Sequence, residues 1–298
     1  MDWIAVDWGT SHLRAFAMDA DGRVLDKAHS DDGMGTLSQV EFEPALLRLI
    51  GPWLDAGPVT ALACGMVGAR QGWIEAAYQP VPCKPAESGL IRAPTKDPRL
   101  NVLILPGLSQ AAPPDVMRGE ETQILGILSA DPDFDGVIAL PGTHTKWAHI
   151  SAGEVVSFQT AMTGELFALL SEKSVLRHSV GGGDPDRDAF DAAIAETLSR
   201  PERLAQSLFG IRAAGLLSDQ TDSVARGRLS GLLIGAELAA TRPYWLGREI
   251  VIAGAPALSA LYARALKAQG VSVTVKNGDT LTLRGLCRAN EALRKAAT

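Results

Sequence analysis

Gly9-Thr10 and Gly142-Thr143 hold equivalent places in two stretches of similar make-up. Residues 3–25, WIAVDWGTSHLRAFAMDADGRVL, and 137–156, VIALPGTHTKWAHISAGEVV, each run from an apolar strand into a Gly-Thr turn, a second strand and a glycine turn. A strand ending in such a turn exposes backbone N–H groups and a hydroxyl at one point, which suits phosphate oxygens. Two such turns, one in each half of the chain, imply a nucleotide's phosphates gripped from both sides. The turns differ in chemistry: the first follows an acid, Asp7, whereas the second follows Leu140-Pro141.

The elements that must position these turns can be read from periodicity. Strands over 2–7 and 13–18, a turn at 19–22 and a third strand at 23–25 form a meander. A helix is expected over 43–56, with buried strands at 59–64 and 101–106. The long Gly- and Pro-rich connection between them, 65–98, reads as a functional loop. The run after Gly119 reads as a helix with Glu120 and Glu121 in its first turn, where the helix dipole favours acids. After the second meander come helices at 165–177, 187–199, 201–209 and 225–241, a strand at 249–253, a helix at 257–268, a strand over VSVTV and a last helix at 285–296. A meander, a helix and then alternating strands and helices in each half imply two α/β domains related by duplication, 1–130 and 131–298, with a cleft between them.

Bulk properties narrow the class. At 298 residues there is length for two cored domains. A hydrophobic share of 46% and a mean hydropathy of +0.08 fit a globular protein. A net charge of -6 without any long Lys/Arg run argues against nucleic acid or an anionic membrane as the main partner. Three scattered cysteines suit a reducing cytoplasm better than a disulfide framework. The acid-bearing start MDWIAVDWG is unlike a signal peptide, and no stretch reaches the roughly 20 apolar residues of a membrane span.

The pattern Asp7-Trp8-Gly9-Thr10-Ser11 with Arg14, the second Gly-Thr hairpin and the late Ala253-Gly254-Ala255-Pro256 resembles the two phosphate loops and the adenosine loop of the actin, sugar-kinase and Hsp70 superfamily. The strings GMVGARQGWIEAAYQPVP (65–82), DVMRGEETQILGIL (115–128), LPGTHTKW (140–147), TAMTGELFALL (160–170) and RLSGLLIGAELAA (228–240) look like those of the 2-dehydro-3-deoxygalactonokinase family. The resemblance implies two duplicated ribonuclease H-like (actin-like ATPase) domains with an interdomain cleft. It also implies ATP and Mg²⁺ as cofactors, and a 2-keto-3-deoxy sugar acid as the small-molecule partner. A homodimer is one assembly it allows.

On that resemblance Asp7 would hold the hydrated Mg²⁺ that bridges ATP oxygens; the alternative is a turn carboxylate that only caps local N–H groups. Gly9, Thr10, Ser11 and Arg14 would hold phosphate, as would Gly142, Thr143, His144, Thr145 and Lys146. A hairpin arginine is commonly just solvated, and His144 could be a plain turn residue. In related kinases an acid at a helix start, shortly before the second hairpin, accepts the proton of the attacking hydroxyl. Glu120, with Glu121 next, falls at that place, as glutamates rather than the usual aspartate. The competing role is complementing the helix dipole.

For the sugar acid, the 65–82 loop offers Arg70, Gln71, Trp73, Glu75 and Tyr78, with an arginine fork as the natural partner for a carboxylate. Trp73 and Tyr78 are as easily packing residues. Glu165, at a helix start, resembles a sugar-contacting glutamate. Gly254, Ala255 and Pro256 would bring backbone near adenine and ribose. Gly231 and Gly235 permit close approach of either a helix or a ligand. The acidic stretches at 131–136 and 184–188 lack the spacing of a calcium loop. The rival readings are a kinase of the same fold for another sugar, and a nucleotide-dependent chaperone or filament protein.

Overall fold

A computed structural model describes residues 1–54, 57–86 and 89–296. By the density of internal contacts the chain divides into two compact units: residues 1–135, 150–157 and 278–298, and residues 136–149 and 158–277.

The first unit is built on β1 (Trp3–Trp8), β2 (Leu13–Met18), β3 (Val24–Ser30), α1 (Phe42–Ile50), β4 (Val59–Gly65), β5 (Tyr78–Pro80), β6 (Ile91–Arg92), β7 (Leu100–Ile104), β8 (Gly107–Gln110), β9 (Asp115–Met117) and α2 (Glu120–Leu128). Its main sheet has the order β3-β2-β1-β4-β7-β6, and a small sheet has the order β5-β8-β9. β1 and β2 pair antiparallel, as do β2 and β3, whereas β1, β4 and β7 run parallel. The connection read as one long loop therefore contains β5 and β6.

The second unit is built on β10 (Gly136–Leu140), β11 (Thr145–Ser151), β12 (Glu154–Ala161), α3 (Thr163–Lys173), α4 (Arg187–Ser199), α5 (Leu204–Leu217), α6 (Asp222–Ala240), α7 (Arg242–Trp245), β13 (Ile250–Gly254), α8 (Pro256–Lys267) and β14 (Val273–Asn277), except that residues 150–157, the end of β11 and the first half of β12, group with the first unit. The sheet order is β12-β11-β10-β13-β14. β10, β13 and β14 run parallel. The short links between β10, β11 and β12 permit only antiparallel pairing. The order and directions of β3-β2-β1-β4-β7 thus recur, which is the duplicated two-domain actin-like fold.

The last helix, α9 (Gly278–Ala296), belongs to the first unit rather than to the second half of the chain, where the sequence reading puts it. It also begins seven residues before the expected position 285. Tertiary packing explains both differences: a Cβ on Gly285 would strike the Thr122 carbonyl of α2, and one on Gly126 would strike the Leu281 carbonyl of α9. The two helices touch backbone to backbone, and that contact outweighs the low helix propensity of Gly285.

Each core lies against its own sheet. In the first, Trp8, Phe42 and Trp73 form an aromatic cluster with ring centroids 5.0–6.2 Å apart. In the second, Phe190, Ile194, Ile234 and Leu238 of α4 and α6 cover Val137, Ile250 and Ile252. Gly231 and Gly235 face the Phe190 and Ile194 carbonyls of α4, so their smallness serves helix packing.

Candidate active site

In the first unit Asp7 is the next-to-last residue of β1 and pairs in register with Arg14 of β2 on one side and Cys64 of β4 on the other. Arg14 Nη2 donates to Asp7 Oδ2 at 2.5 Å, and Nη1 donates to Asp279 Oδ1, in the first turn of α9, at 2.6 Å. Burial pushes the Asp7 carboxyl above the ordinary value, partly offset by the Arg14 charge. Burial opposes the charge on Arg14, but Asp7 and Asp279 more than compensate. Arg14 is therefore a tethered counter-ion of Asp7, not a solvated hairpin arginine.

The Gly-Thr turn between β1 and β2 is braced from a segment that the sequence reading passed over. Met34 N–H donates to the Gly9 carbonyl (3.0 Å) and Gly35 N–H to the Thr10 carbonyl (2.9 Å). A Cβ on Gly33 would collide with the Thr10 and Ser11 backbone. Gly9 N–H is spent inside the turn on the His12 carbonyl at 2.9 Å, so it does not face outward as expected. The side chains of Thr10 and Ser11 are exposed.

Glu120 and Glu121 open α2 after Gly119, whose φ of 103° glycine alone adopts freely. A Cβ on Gly119 would lie 3.5 Å from Gly65, the last residue of β4, so this helix start sits beside the strand ends that carry Asp7. Burial, then the charges of Asp7 and Glu121, push the Cys64 thiol well up. The glutamates divide in role. Glu121 is fully buried, accepts from Gly119 N–H (2.6 Å) and the Thr122 hydroxyl (3.0 Å), and is pushed up to about 7, chiefly by burial and then by Glu120. Glu120 is half-buried and accepts from Arg118 N–H at 3.0 Å.

The 65–82 segment scatters its expected substrate residues. Trp73 is 3% exposed and belongs to the aromatic core with Trp8 and Phe42, so its large apolar surface serves packing. Arg70 and Glu75 are exposed, with Arg70 Nε 3.9 Å from Glu75 Oε2; Gln71 is exposed as well. Tyr78 is half-buried beneath the Arg118 guanidinium, 4.3 Å from its ring centre. Arg118, to which the sequence assigns no role, donates from Nη2 to the Ala76 carbonyl at 2.7 Å and so pins this segment to the start of α2.

In the second unit the β10–β11 turn exposes Thr143 and His144. His144 Nε2 lies 2.5 Å from Glu165 Oε2 on α3. Glu165 N–H also donates to the Thr143 carbonyl at 2.9 Å, and a Cβ on Gly164 would strike Gly142. Thr145 and Lys146 do not present their polar groups outward as expected. Thr145 is fully buried with its hydroxyl 2.9 Å from the Tyr262 oxygen, and Lys146 is 5% exposed with Nζ on the His144 carbonyl at 3.2 Å. Gly254 ends β13 where a Cβ would lie 3.1 Å from the Pro141 carbonyl, bringing this turn against the second Gly-Thr turn. Ala255 and Pro256 follow, both exposed, with Pro256 opening α8.

The whole arrangement has close counterparts. The family model described as 2-keto-3-deoxy-galactonokinase matches residues 7–289. The chain belongs to that family. It is 36% identical over 297 residues to a Rhizobium meliloti protein named as a probable 2-dehydro-3-deoxygalactonokinase, covering 98% of this chain and 97% of the relative. It is 34% identical over 287 residues to the Escherichia coli 2-dehydro-3-deoxygalactonokinase, covering 95% and 96%. A crystal structure of a Sinorhizobium meliloti protein bearing the same enzyme name superposes with a TM-score of 0.91 at 35% identity, over 98% of this chain and 99% of that one.

For a galactonokinase-family chain the donor set at Asp7 fits a divalent ion carried on ATP. Among the described residues no group of three or more His, Cys, Asp or Glu stands together as a cage. Mg²⁺ keeps most of its waters and needs only one or two carboxylates besides the substrate phosphates, and Asp7, whose Oδ2 is held by Arg14, can supply one. Two acids of this galactonokinase-family chain escaped the sequence reading. Asp279 carries no local signal. Glu237 had one, as the lone acid in the apolar run GLLIGAELAA of α6.

Proposed function

We propose that this chain, a carbohydrate kinase by family, phosphorylates 2-dehydro-3-deoxy-D-galactonate at its terminal 6-hydroxyl with ATP, giving the 6-phosphate and ADP in galactonate catabolism. The observation that carries the reading is the family match along nearly the whole chain, residues 7–289. The geometry of the first unit supports it: the start of α2 lies against Gly65, which pairs with Trp8 next to Asp7.

Glu120 is the group that orients the 6-hydroxyl and accepts its proton on Oε1 or Oε2 as the oxygen bonds to phosphorus. Glu121 is buried and holds the helix start through Gly119 N–H, which leaves Glu120 as the accessible carboxylate. Asp7 would hold Mg²⁺, which when bound supplies charge neutralisation on the phosphate oxygens. The Thr10, Ser11 and Thr143 side chains are exposed at the two turns and suit phosphate oxygens. Arg70 is exposed and only loosely paired with Glu75, and its fork suits the sugar acid's carboxylate. A cytoplasmic setting accompanies this reading.

The test is turnover, followed by ADP release, across ketodeoxy sugar acids, aldonic acids and neutral hexoses, with ³¹P NMR to locate the new ester. Activity on 2-dehydro-3-deoxy-D-galactonate with a 6-phosphate product supports the reading. Activity on neutral hexoses alone overturns it. ATP hydrolysis that ignores every sugar would favour a chaperone-like role instead.

A further inference from the structure

We infer that Glu237 is a positioning residue for nucleotide binding, fixing the second Gly-Thr turn, the start of α3 and helix α8 in one arrangement from beneath. The inference rests on the kinase reading above and adds a residue to it. Glu237 is 5% exposed, and its carboxylate collects donors from three separate elements. Trp147 of β11 donates Nε1–H to Oε1 at 2.7 Å, the Tyr262 hydroxyl of α8 donates to Oε2 at 2.7 Å, and the Thr163 hydroxyl of α3 donates to Oε2 as well. The Thr145 hydroxyl, 2.9 Å from the Tyr262 oxygen, completes the chain by donating to it.

Each partner lies a few residues from a group assigned to the site. Trp147 and Thr145 stand on the strand that leaves the Gly142-Thr143 turn. Thr163 precedes Glu165, which bonds His144, and Tyr262 stands on the helix that Pro256 opens. The anchor beneath them is stiff, because Gly227, Gly231 and Gly235 of α6 press directly on the segment leading into α4 and on α4 itself.

An apolar side chain of similar volume would fill the same space. A buried carboxylate is costly unless its lone pairs are filled, and here the filled lone pairs fix orientation rather than simple packing. Phosphoryl transfer gives that orientation its value, because misplacement by about 1 Å can cost 10²-fold in rate. Glu237 has no part in the chemical step and acts through the turn and helices it holds.

The test measures binding of the non-hydrolysable ATP analogue adenylyl imidodiphosphate, with Mg²⁺, by calorimetry, alongside KM for ATP and for the sugar acid. Glu237→Leu should weaken the analogue and raise KM for ATP by roughly tenfold or more while leaving KM for the sugar acid within about twofold. Glu237→Gln keeps the acceptor for Trp147 and can donate to both hydroxyl oxygens, so it should recover affinity to within about threefold of wild type. Tyr262→Phe, which keeps the ring and loses one hydroxyl, should weaken the analogue about three- to tenfold, and it decides the matter if Glu237→Leu does not fold. Wild-type analogue affinity and KM for ATP in the folded Leu and Phe variants would overturn the inference. Failure of the wild-type protein to bind the analogue would instead overturn the kinase reading beneath it.

Discussion

Asp7 and Arg14 face each other across the β1–β2 ladder with Nη2 2.5 Å from Oδ2, and the other arm of the same guanidinium reaches Asp279 at 2.6 Å. The acid proposed for the metal is thus held in place before any ligand arrives. Burial raises the Asp7 carboxyl above its ordinary value, and the Arg14 charge offsets part of that rise. Asp7→Asn removes the charge that attracts Mg²⁺ while keeping the side chain's shape. Turnover should fall and the Mg²⁺ concentration for half-maximal rate should rise by about tenfold or more. A magnesium titration of the initial rate reads this directly, and an unchanged curve would remove Asp7 from the metal role.

The choice between the two glutamates of α2 follows from burial. Glu120→Gln should lower kcat by roughly 10²-fold or more with nucleotide affinity preserved. Glu121→Gln should lower it far less, because that side chain is enclosed against Gly119 and Thr122. If the large effect falls on Glu121 instead, the proton acceptor is the buried acid.

Glu121 also makes stability depend on pH. Its carboxyl is raised from 4.5 to about 7 in the folded chain by burial and by Glu120, so between these values the folded state binds the extra proton. The stabilisation is fully present below about pH 4.5 and is lost as pH rises through about 7, a total on the order of 3 kcal/mol. Chemical denaturation of wild type and Glu121→Gln across pH 4.5–8 should show the difference between them changing in that window. Parallel profiles would mean that Glu121 is ionised throughout.

Trp73 and Arg70 stand three residues apart and should answer differently. Trp73→Ala opens a void between Trp8 and Phe42 and should cost about 3–5 kcal/mol of stability. Arg70→Ala should leave the melting temperature nearly unchanged and raise KM for the sugar acid. Thermal melts and substrate titrations of both variants separate the two roles.

His144 and Glu165 lie 2.5 Å apart on the outward side of the second turn. Glu165→Gln removes the charged partner of the imidazole while the Glu165 N–H to Thr143 carbonyl bond remains. If the pair orders the turn for phosphate, KM for ATP rises several-fold. If Glu165 contacts the sugar, KM for the sugar acid rises instead.

The strand-and-turn units around Gly9-Thr10 and Gly142-Thr143, the acids at the start of α2 and the family are all legible in the residues alone. These depend on local patterns: alternating apolar residues, glycines at turns and acids after a helix start. Tertiary structure decided which of those side chains face outward. Trp73 and Thr145 carry groups that could serve a ligand, yet the aromatic core claims one and the hydroxyl chain to Tyr262 the other. The partners at long range were also beyond sequence. Asp279 meets Arg14 across 265 positions, and Glu237 meets Trp147 across 90, because only folding brings α9 to β2 and α6 to β11. The two turns proved unlike in more than the acid at Asp7. The first is braced by the backbone of Gly33–Gly35 and a salt-bridged arginine, the second by a buried carboxylate and the start of α3.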